Sequence, residues 1–199
     1  MSIIKLDDLY KIAKEHKDTH LHCGAEPYLD YEYLYNFINK VSTKGTSLLK
    51  EVDTTERSAG DFNILELGTG IGFTAIVMSL ADENALVDTI ETNTEHIEYG
   101  KNWCRELGLN NINFIQSDVH KVLPYLESNK YDFIFFDVYG PKEKFITDFE
   151  RILKPSGILY SVNSHLKSAE QNYFDYLESS NNWQLLDRFN DTVIYKKLS

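Results

Sequence analysis

The stretch 64–73 constrains the fold most, because a short apolar run there ends in three glycines at alternate positions, Gly68, Gly70 and Gly72. Residues 74–80 follow directly and have the apolar density and length of a buried helix. The order is therefore strand, glycine-rich turn, helix. Glycines in such a turn let a ligand lie against the main chain, and the free N–H groups that open the helix attract negative charge.

The spacing of this turn separates two ligand classes. A dinucleotide-binding turn requires a third glycine where Phe73 stands. The Glu66 carboxylate, just ahead of the turn, would repel a pyrophosphate but suits a cationic ligand such as S-adenosylmethionine, which carries a sulfonium and an ammonium and no phosphate. We therefore assign these turn residues to S-adenosylmethionine: Glu66, Gly68, Thr69, Gly70, Gly72 and Phe73.

Acidic residues end the next two predicted strands. Residues 85–90 lead into Glu91, whose carboxylate can accept both ribose hydroxyls of an adenosine at the carboxyl edge of a parallel sheet. A site for NAD would also have an acid at this position, so Glu91 indicates a nucleoside ligand but does not distinguish S-adenosylmethionine from NAD. Ser117 and Asp118 follow the strand 112–116. Asp118 can accept a hydrogen bond from the adenine amino group, or it can simply cap a helix over residues 119–126.

The most apolar run, 131–136, predicts the centre of a sheet covered on both faces and brings Asp137 to the same edge. A helix then reaches residue 153, a turn is predicted at 154–157, and a fifth strand follows at 158–162. Residues 183–198 predict a hairpin around Asn190 and Asp191. The predicted fold is α/β, a Rossmann-like doubly wound sheet of seven strands. It is mostly parallel, with a C-terminal antiparallel hairpin and helices on both faces.

The length of 199 residues and the hydrophobic content of 42% predict one domain spanning 1–199. Residues 1–41 are predicted to be helices that cap the site, 42–61 a surface loop, and 62–199 the cofactor-binding sheet. A histidine-rich segment lies between the two N-terminal helices. Its residues match no common zinc pattern and are predicted to cap the site in a role left open: His16, His20, His22 and Cys23.

Charge and composition restrict the partners. The formal net charge of −11 disfavours long-range attraction to a nucleic-acid backbone, which favours a small-molecule acceptor. No signal-peptide pattern and no apolar run of membrane length are visible, so we expect a cytoplasmic protein without membrane contact. Cys23 and Cys104 are expected to be free thiols.

From about Pro27 to the C-terminus, the chain resembles the class I S-adenosylmethionine-dependent methyltransferases. It is most similar to the branch of catechol and caffeoyl-CoA O-methyltransferases and their bacterial relatives. The resemblance implies methyl transfer to a hydroxyl of a small molecule and suggests a homodimer. The segments that carry it are 65–72, 89–91, 117–118, 135–137 and 153–157.

In that branch, magnesium holds two adjacent substrate oxygens and lowers the pKa of the attacking hydroxyl. Its family ligands are an Asp after the fourth strand, matched by Asp137, and an Asp-Asn pair after the fifth, of which only Asn163 is matched. Val162 replaces the middle Asp, so we expect magnesium binding to be weak or absent. His165 can replace the lost ligand if the preferred ion is softer.

The resemblance also implies a catalytic lysine shortly after the first Asp, which Lys142 matches after a two-residue insertion. Lys142, or Lys144 if the insertion shifts the register, is predicted to take the proton or stabilise the oxyanion, with Asp137 as its catalytic neighbour. Either lysine can instead be an ordinary solvated residue at a helix start.

Three other activities remain open. Some bacterial members of this branch methylate a modified uridine in transfer RNA, against which the net charge weighs. An aminopropyltransferase would want a further acidic pair near Asp137. Because Val162 removes a family ligand, the chain can also be a non-catalytic S-adenosylmethionine-binding protein.

Overall fold

The computed structural model describes residues 27–44, 62–138, 141–162 and 171–199. The predicted first helix, the segment with His16, His20, His22 and Cys23, and the residues Asn163 and His165 lie outside the described residues. The helices are α1 (Pro27–Lys44), α2 (Phe73–Ala81), α3 (Thr94–Leu107), α4 (Val119–Val122), α5 (Ile146–Ile152) and α6 (Gln171–Ser179). The strands are β1 (Phe62–Leu67), β2 (Ala85–Glu91), β3 (Ile112–Gln116), β4 (Tyr131–Phe136), β5 (Leu153–Ser161), β6 (Trp183–Phe189) and β7 (Thr192–Lys197).

The seven strands form one sheet in the order β3-β2-β1-β4-β5-β7-β6. Strands β1 to β5 pair in parallel, whereas β7 is antiparallel to both β5 and β6. The predicted Rossmann-like fold with its C-terminal hairpin is therefore confirmed. Successive strands are added outward on one side from β1 to β3, and on the other side from β4, so the order reverses between β1 and β4. Ligands of doubly wound sheets bind at this reversal, beyond the carboxyl ends of the strands.

Helices cover both faces of the sheet, and a separate apolar core lies between the helices and the sheet on each face. Helices α1, α2 and α3 pack on one face, where Ile38, Met78 and Trp103 meet strand residues such as Ile64 and Phe133. Helices α4, α5 and α6 pack on the other. All six residues of β4 are buried, as predicted for the central strand.

Helix α1 is fastened across the first face by aromatic and polar contacts. Its predicted apolar stripe is largely confirmed, since Leu34, Ile38 and Val41 are buried. The Tyr33 ring stacks on Phe189, with ring centroids 4.2 Å apart. Its hydroxyl donates to Asp187 Oδ2 at 2.6 Å.

Three predicted boundaries were wrong. Helix α1 continues to Lys44, beyond the predicted loop start at residue 42. The predicted helix over 119–126 is α4 followed by a 3₁₀ turn, Leu123–Tyr125, because Pro124 lacks the N–H that an α-helix needs. The predicted turn at 154–157 is part of β5, as an irregular stretch where the pairing with β4 shifts register. Lys154 Nζ holds this stretch to the sheet by donating to Asp132 Oδ2 at 2.7 Å.

No helix within the described ranges is long and apolar enough to cross a membrane.

Candidate active site

The candidate site lies where the strand order reverses, at the carboxyl ends of β1, β2 and β4. Main-chain hydrogen bonds hold these ends together: Gly68 N–H donates to Ile90 O at 3.1 Å, and Asp137 N–H donates to Leu67 O at 3.1 Å. The turn after β1, Glu91 of β2 and Asp137 after β4 are therefore brought together, as their positions in the sequence predict.

The glycine turn has room for a ligand at its centre. Gly68, Gly70 and Gly72 all have positive φ, of 96°, 50° and 86°. A Cβ on Gly70 would meet nothing within 4 Å, so the space over this residue is open. A Cβ on Gly72 would lie 2.9 Å from Gly100 Cα, because α3 packs directly against the turn there. The middle glycine is thus exposed to a ligand, whereas the last permits helix packing.

Glu66, the penultimate residue of β1, is fully buried. Its Oε2 accepts a hydrogen bond from Thr89 Oγ1 at 2.5 Å, and its Oε1 has no hydrogen-bond partner among the described residues. Burial raises the pKa of Glu66 well above its ordinary value, and the charges of Asp137 and Glu91 raise it further, against the Thr89 hydrogen bond. A buried carboxyl in this state requires either a proton or a cation.

Two threonines complete this arrangement. Thr69 Oγ1 lies 2.5 Å from Thr89 Oγ1, and both side chains are buried. Thr69 was assigned from the turn, but sequence reasoning missed Thr89. The sequence indicates only that Thr89, two residues before Glu91, shares a face of β2 with it. The parallel register then places the Thr89 side chain beside that of Glu66.

Glu91 closes the turn from β2. Its Oε2 accepts from Gly70 N–H at 3.1 Å, and its Oε1 accepts from Thr92 N–H at 2.7 Å and Asn93 N–H at 2.9 Å. Burial raises the pKa of Glu91, but the backbone N–H groups of Asn93, Thr92 and Gly70 together lower it below its ordinary value. Glu91 is therefore an anion held at the edge of the open space over Gly70.

Asp118 begins α4 as its N-cap, with Oδ1 accepting from His120 N–H at 2.8 Å. This confirms the capping alternative, while contact with adenine stays a prediction. Ser117 N–H donates to Glu91 O at 2.9 Å, which brings the end of β3 next to the end of β2. The Phe73 ring is buried against Tyr31 and Trp103, so the contribution of Phe73 to a ligand site is limited to its backbone.

Lys142 is only 1% exposed, which makes the solvated alternative wrong for this residue, whereas Lys144 is exposed. Lys142 Nζ donates to Val162 O at 2.8 Å and lies 5.4 Å from the centre of the Phe136 ring. The buried ammonium thus joins the segments after β4 and β5.

The predicted metal ligands are only partly within the described chain. Asp137 follows β4, but Asn163 lies outside the described residues. Among the described side chains, no group of three or more His, Cys, Asp or Glu residues is arranged to hold a metal ion. Val162 places an aliphatic side chain where the resemblance implies a carboxylate.

The residues present fit a ligand with a cationic end. Glu91 and Asp137 place negative charge beside a turn whose backbone is open at Gly70, and the buried Glu66 carboxyl requires a proton or a cation. A pyrophosphate placed there would be repelled by Glu91 and Asp137 and could not neutralise Glu66. The geometry therefore agrees with the choice of S-adenosylmethionine over a dinucleotide.

A model of the methyltransferase domain family matches residues 59–193 of the chain. The chain belongs to this family, and its fold is that of the class I S-adenosylmethionine-dependent methyltransferases, as predicted. An O-methyltransferase from Bacillus cereus, solved in complex with S-adenosylhomocysteine, superposes with a TM-score of 0.69 at 14% identity. The superposition covers 98% of this chain and 90% of that one. At this identity the likeness concerns the fold alone.

Curated relatives of this chain are named for two different methyl acceptors, protein and ribosomal RNA. The chain is 37% identical over 107 residues to a protein-L-isoaspartate O-methyltransferase of Methanococcus maripaludis, covering 53% of this chain and 49% of the relative. It is 27% identical over 131 residues to the ribosomal RNA small subunit methyltransferase G of Borrelia duttonii, covering 63% and 60%. The chain thus spans about half to three fifths of the length of these relatives.

Proposed function

We propose that this chain transfers a methyl group from S-adenosylmethionine to a hydroxyl of a small molecule. The observation that carries the proposal is Glu66, a buried carboxyl with one unpartnered oxygen beside the charges of Asp137 and Glu91. A sulfonium and an ammonium can neutralise such a site, and a pyrophosphate cannot. Membership of the methyltransferase domain family supports the same cofactor.

Within this proposal, each part of the cofactor has a group of this chain to hold it. The open backbone at Gly70 accommodates the chain between adenosine and the amino acid, Glu91 accepts from the ribose hydroxyls, and Glu66 faces the cationic end. Ser117 and Asp118 lie beside the adenine. The bound cofactor supplies a methyl group activated by its positive sulfur.

The remaining chemistry is positioning and charge. Asp137 would accept a hydrogen bond from the acceptor hydroxyl, orient its oxygen for in-line attack, and take the proton that the hydroxyl releases, since alignment accounts for much of such a rate enhancement. Lys142 is fixed by Val162 O and supplies a positive charge that stabilises the developing oxyanion.

A small acceptor agrees with the charge of the protein. With a net charge of −11, the chain gains little from a nucleic-acid backbone. The similarity to a protein-L-isoaspartate O-methyltransferase supports oxygen as the atom methylated. RNA is the second candidate acceptor, and the similarity to ribosomal RNA methyltransferase G favours it.

We further propose that transfer does not require magnesium held by the protein. Val162 removes one of the two carboxylates expected from the family, and a single carboxylate with an amide binds magnesium weakly.

The test is a methyl-transfer assay with labelled S-adenosylmethionine, in magnesium and in EDTA. The acceptors are a panel of phenols and catechols, an isoaspartyl peptide, and total RNA. We expect label on a small hydroxyl compound at equal rates in magnesium and EDTA. Label on RNA or peptide alone would contradict the acceptor class, and loss of transfer in EDTA would contradict metal independence.

A further inference from the structure

Two threonine hydroxyls form a chain that ends on the site carboxyl. Thr89 Oγ1 donates to Glu66 Oε2, and Thr69 Oγ1 lies 2.5 Å from Thr89 Oγ1. A hydroxyl can donate only one hydrogen bond. Because Thr89 donates to Glu66, it must be the acceptor in its hydrogen bond with Thr69. The order of donation is therefore Thr69 to Thr89 to Glu66.

This chain of hydroxyls is buried and directional. Thr69, Thr89 and Glu66 are 4%, 0% and 0% exposed. In the low-dielectric interior, such a chain strengthens each hydrogen bond and fixes the orientation of its terminal group. Glu66 is thus held through its Oε2, which leaves the buried Oε1 as the oxygen without a hydrogen-bond partner in the described part of the chain.

The two neighbours of Glu66 in the sheet register differ in what they offer its carboxyl. Its neighbours in the sheet register are Thr89 on β2 and the aromatic Phe135 on β4. Phe135 stacks on Tyr160, with ring centroids 5.3 Å apart, and provides an apolar wall. Thr89 is the neighbour in this row that donates a hydrogen bond to the carboxyl.

We propose that Thr89 is a positioning residue of the cofactor site, which turns the free oxygen of Glu66 toward the cationic amino-acid end of the cofactor. The inference rests on the proposed use of S-adenosylmethionine. Thr89 acts through Glu66 and does not touch the cofactor. It therefore governs affinity for the charged end of the ligand, and leaves recognition of adenosine unchanged.

The experiment compares two ligands by calorimetry: S-adenosylmethionine, and 5′-methylthioadenosine, which lacks the ammonium and the sulfonium charge. Thr89→Val should weaken S-adenosylmethionine about tenfold or more, the size expected for one hydrogen bond to a charged group. Methylthioadenosine binding should stay within about twofold, since adenosine recognition does not use Glu66. Thr89→Ser keeps the hydroxyl and should restore binding of S-adenosylmethionine.

Thr192→Val, which changes a buried threonine at the start of β7, is the matched control and should bind as wild type. Equal weakening of both ligands by Thr89→Val, or no weakening of either, would overturn the inference. So would a crystal structure of the variant in which Glu66 keeps its orientation. If Thr89→Val does not fold, Thr89→Ala removes the same hydroxyl with a smaller side chain and should give the same selectivity. Failure of wild type to bind S-adenosylmethionine contradicts the proposed function itself, independently of the variants.

Discussion

Gly70 N–H donates a hydrogen bond to Glu91 Oε2 over 3.1 Å, which joins the centre of the glycine turn to the end of the neighbouring strand. The same turn residue has open space where a side chain would stand. The hydrogen bond therefore lies at the edge of the space proposed for the ligand. Backbone N–H groups bind both oxygens of Glu91 and fix the orientation of its carboxylate.

Glu91→Gln should weaken S-adenosylmethionine binding by about 10- to 100-fold, because an amide cannot accept hydrogen bonds at both of its terminal atoms. Calorimetry measures the loss, with the neighbouring exposed Glu95→Gln as control. The pKa of Glu91 is lowered in the folded protein, so its charge is present above the ordinary glutamate pKa and is lost only as the pH falls through the lowered value. The difference between the two variants should hence persist from pH 6 to pH 8, and a difference confined to high pH would contradict this role.

The glycines should separate binding from folding. Gly70→Ala places its methyl in open space and should block the ligand, while the positive φ costs only about 1–2 kcal/mol of folding free energy. Gly72→Ala drives its methyl against Gly100 Cα and should cost more, about 2–4 kcal/mol, since backbone must move as well. Thermal melts and cofactor titrations on both variants measure this contrast. Normal binding of S-adenosylmethionine by Gly70→Ala would show that the ligand does not lie over Gly70.

Glu66 should destabilise the ligand-free protein at neutral and alkaline pH. Its pKa is raised on folding, so the folded protein keeps a proton that the unfolded chain releases. The free energy of unfolding therefore falls as the pH rises between the two pKa values, by up to about 1.4 kcal/mol per pH unit. Glu66→Gln cannot ionise and should lose this slope while also losing affinity for S-adenosylmethionine. Urea denaturation from pH 5 to pH 9 measures the slope, with exposed Glu143→Gln as control. Parallel pH curves for wild type and Glu66→Gln would contradict the assignment.

Lys142→Met should lower the rate of methyl transfer at least about tenfold and leave cofactor affinity within about twofold, because the proposed role of this lysine is to stabilise the acceptor oxyanion and not to bind the cofactor. The lost hydrogen bond to Val162 O should also cost about 1 kcal/mol of stability. Exposed Lys144→Met is the matched control. Unchanged turnover in Lys142→Met would contradict a catalytic role, and Lys142 would then serve only to join the segments after β4 and β5.

The sheet and most of the site edge were predictable from the sequence, for local reasons. Short segments of sequence indicate the glycine turn at Gly68, Gly70 and Gly72. They also indicate the strand ends at Glu91 and Asp137, which meet because parallel strands bring their carboxyl ends to one edge. The irregular stretch of β5 was not predictable in this way. Ser156 has a positive φ and Gly157 suggests a turn, yet Lys154 binds Asp132 of the adjacent strand and keeps the segment in the sheet.

Two further features depend on packing between distant elements. Thr89 acquires its role only when β2 pairs with β1 in the register that places it opposite Glu66. The buried Lys142 ammonium donates to Val162 O, twenty residues along the chain. Neither partner is indicated by local composition.

The most direct test of the central claim is a calorimetric titration of the wild-type protein with S-adenosylmethionine, and with NAD in parallel, each in magnesium and in EDTA. The account predicts micromolar binding of S-adenosylmethionine that is the same in both buffers, and no binding of NAD. Binding of NAD in preference to S-adenosylmethionine, or binding of neither, would contradict the cation-binding site formed by Glu66, Glu91 and Asp137.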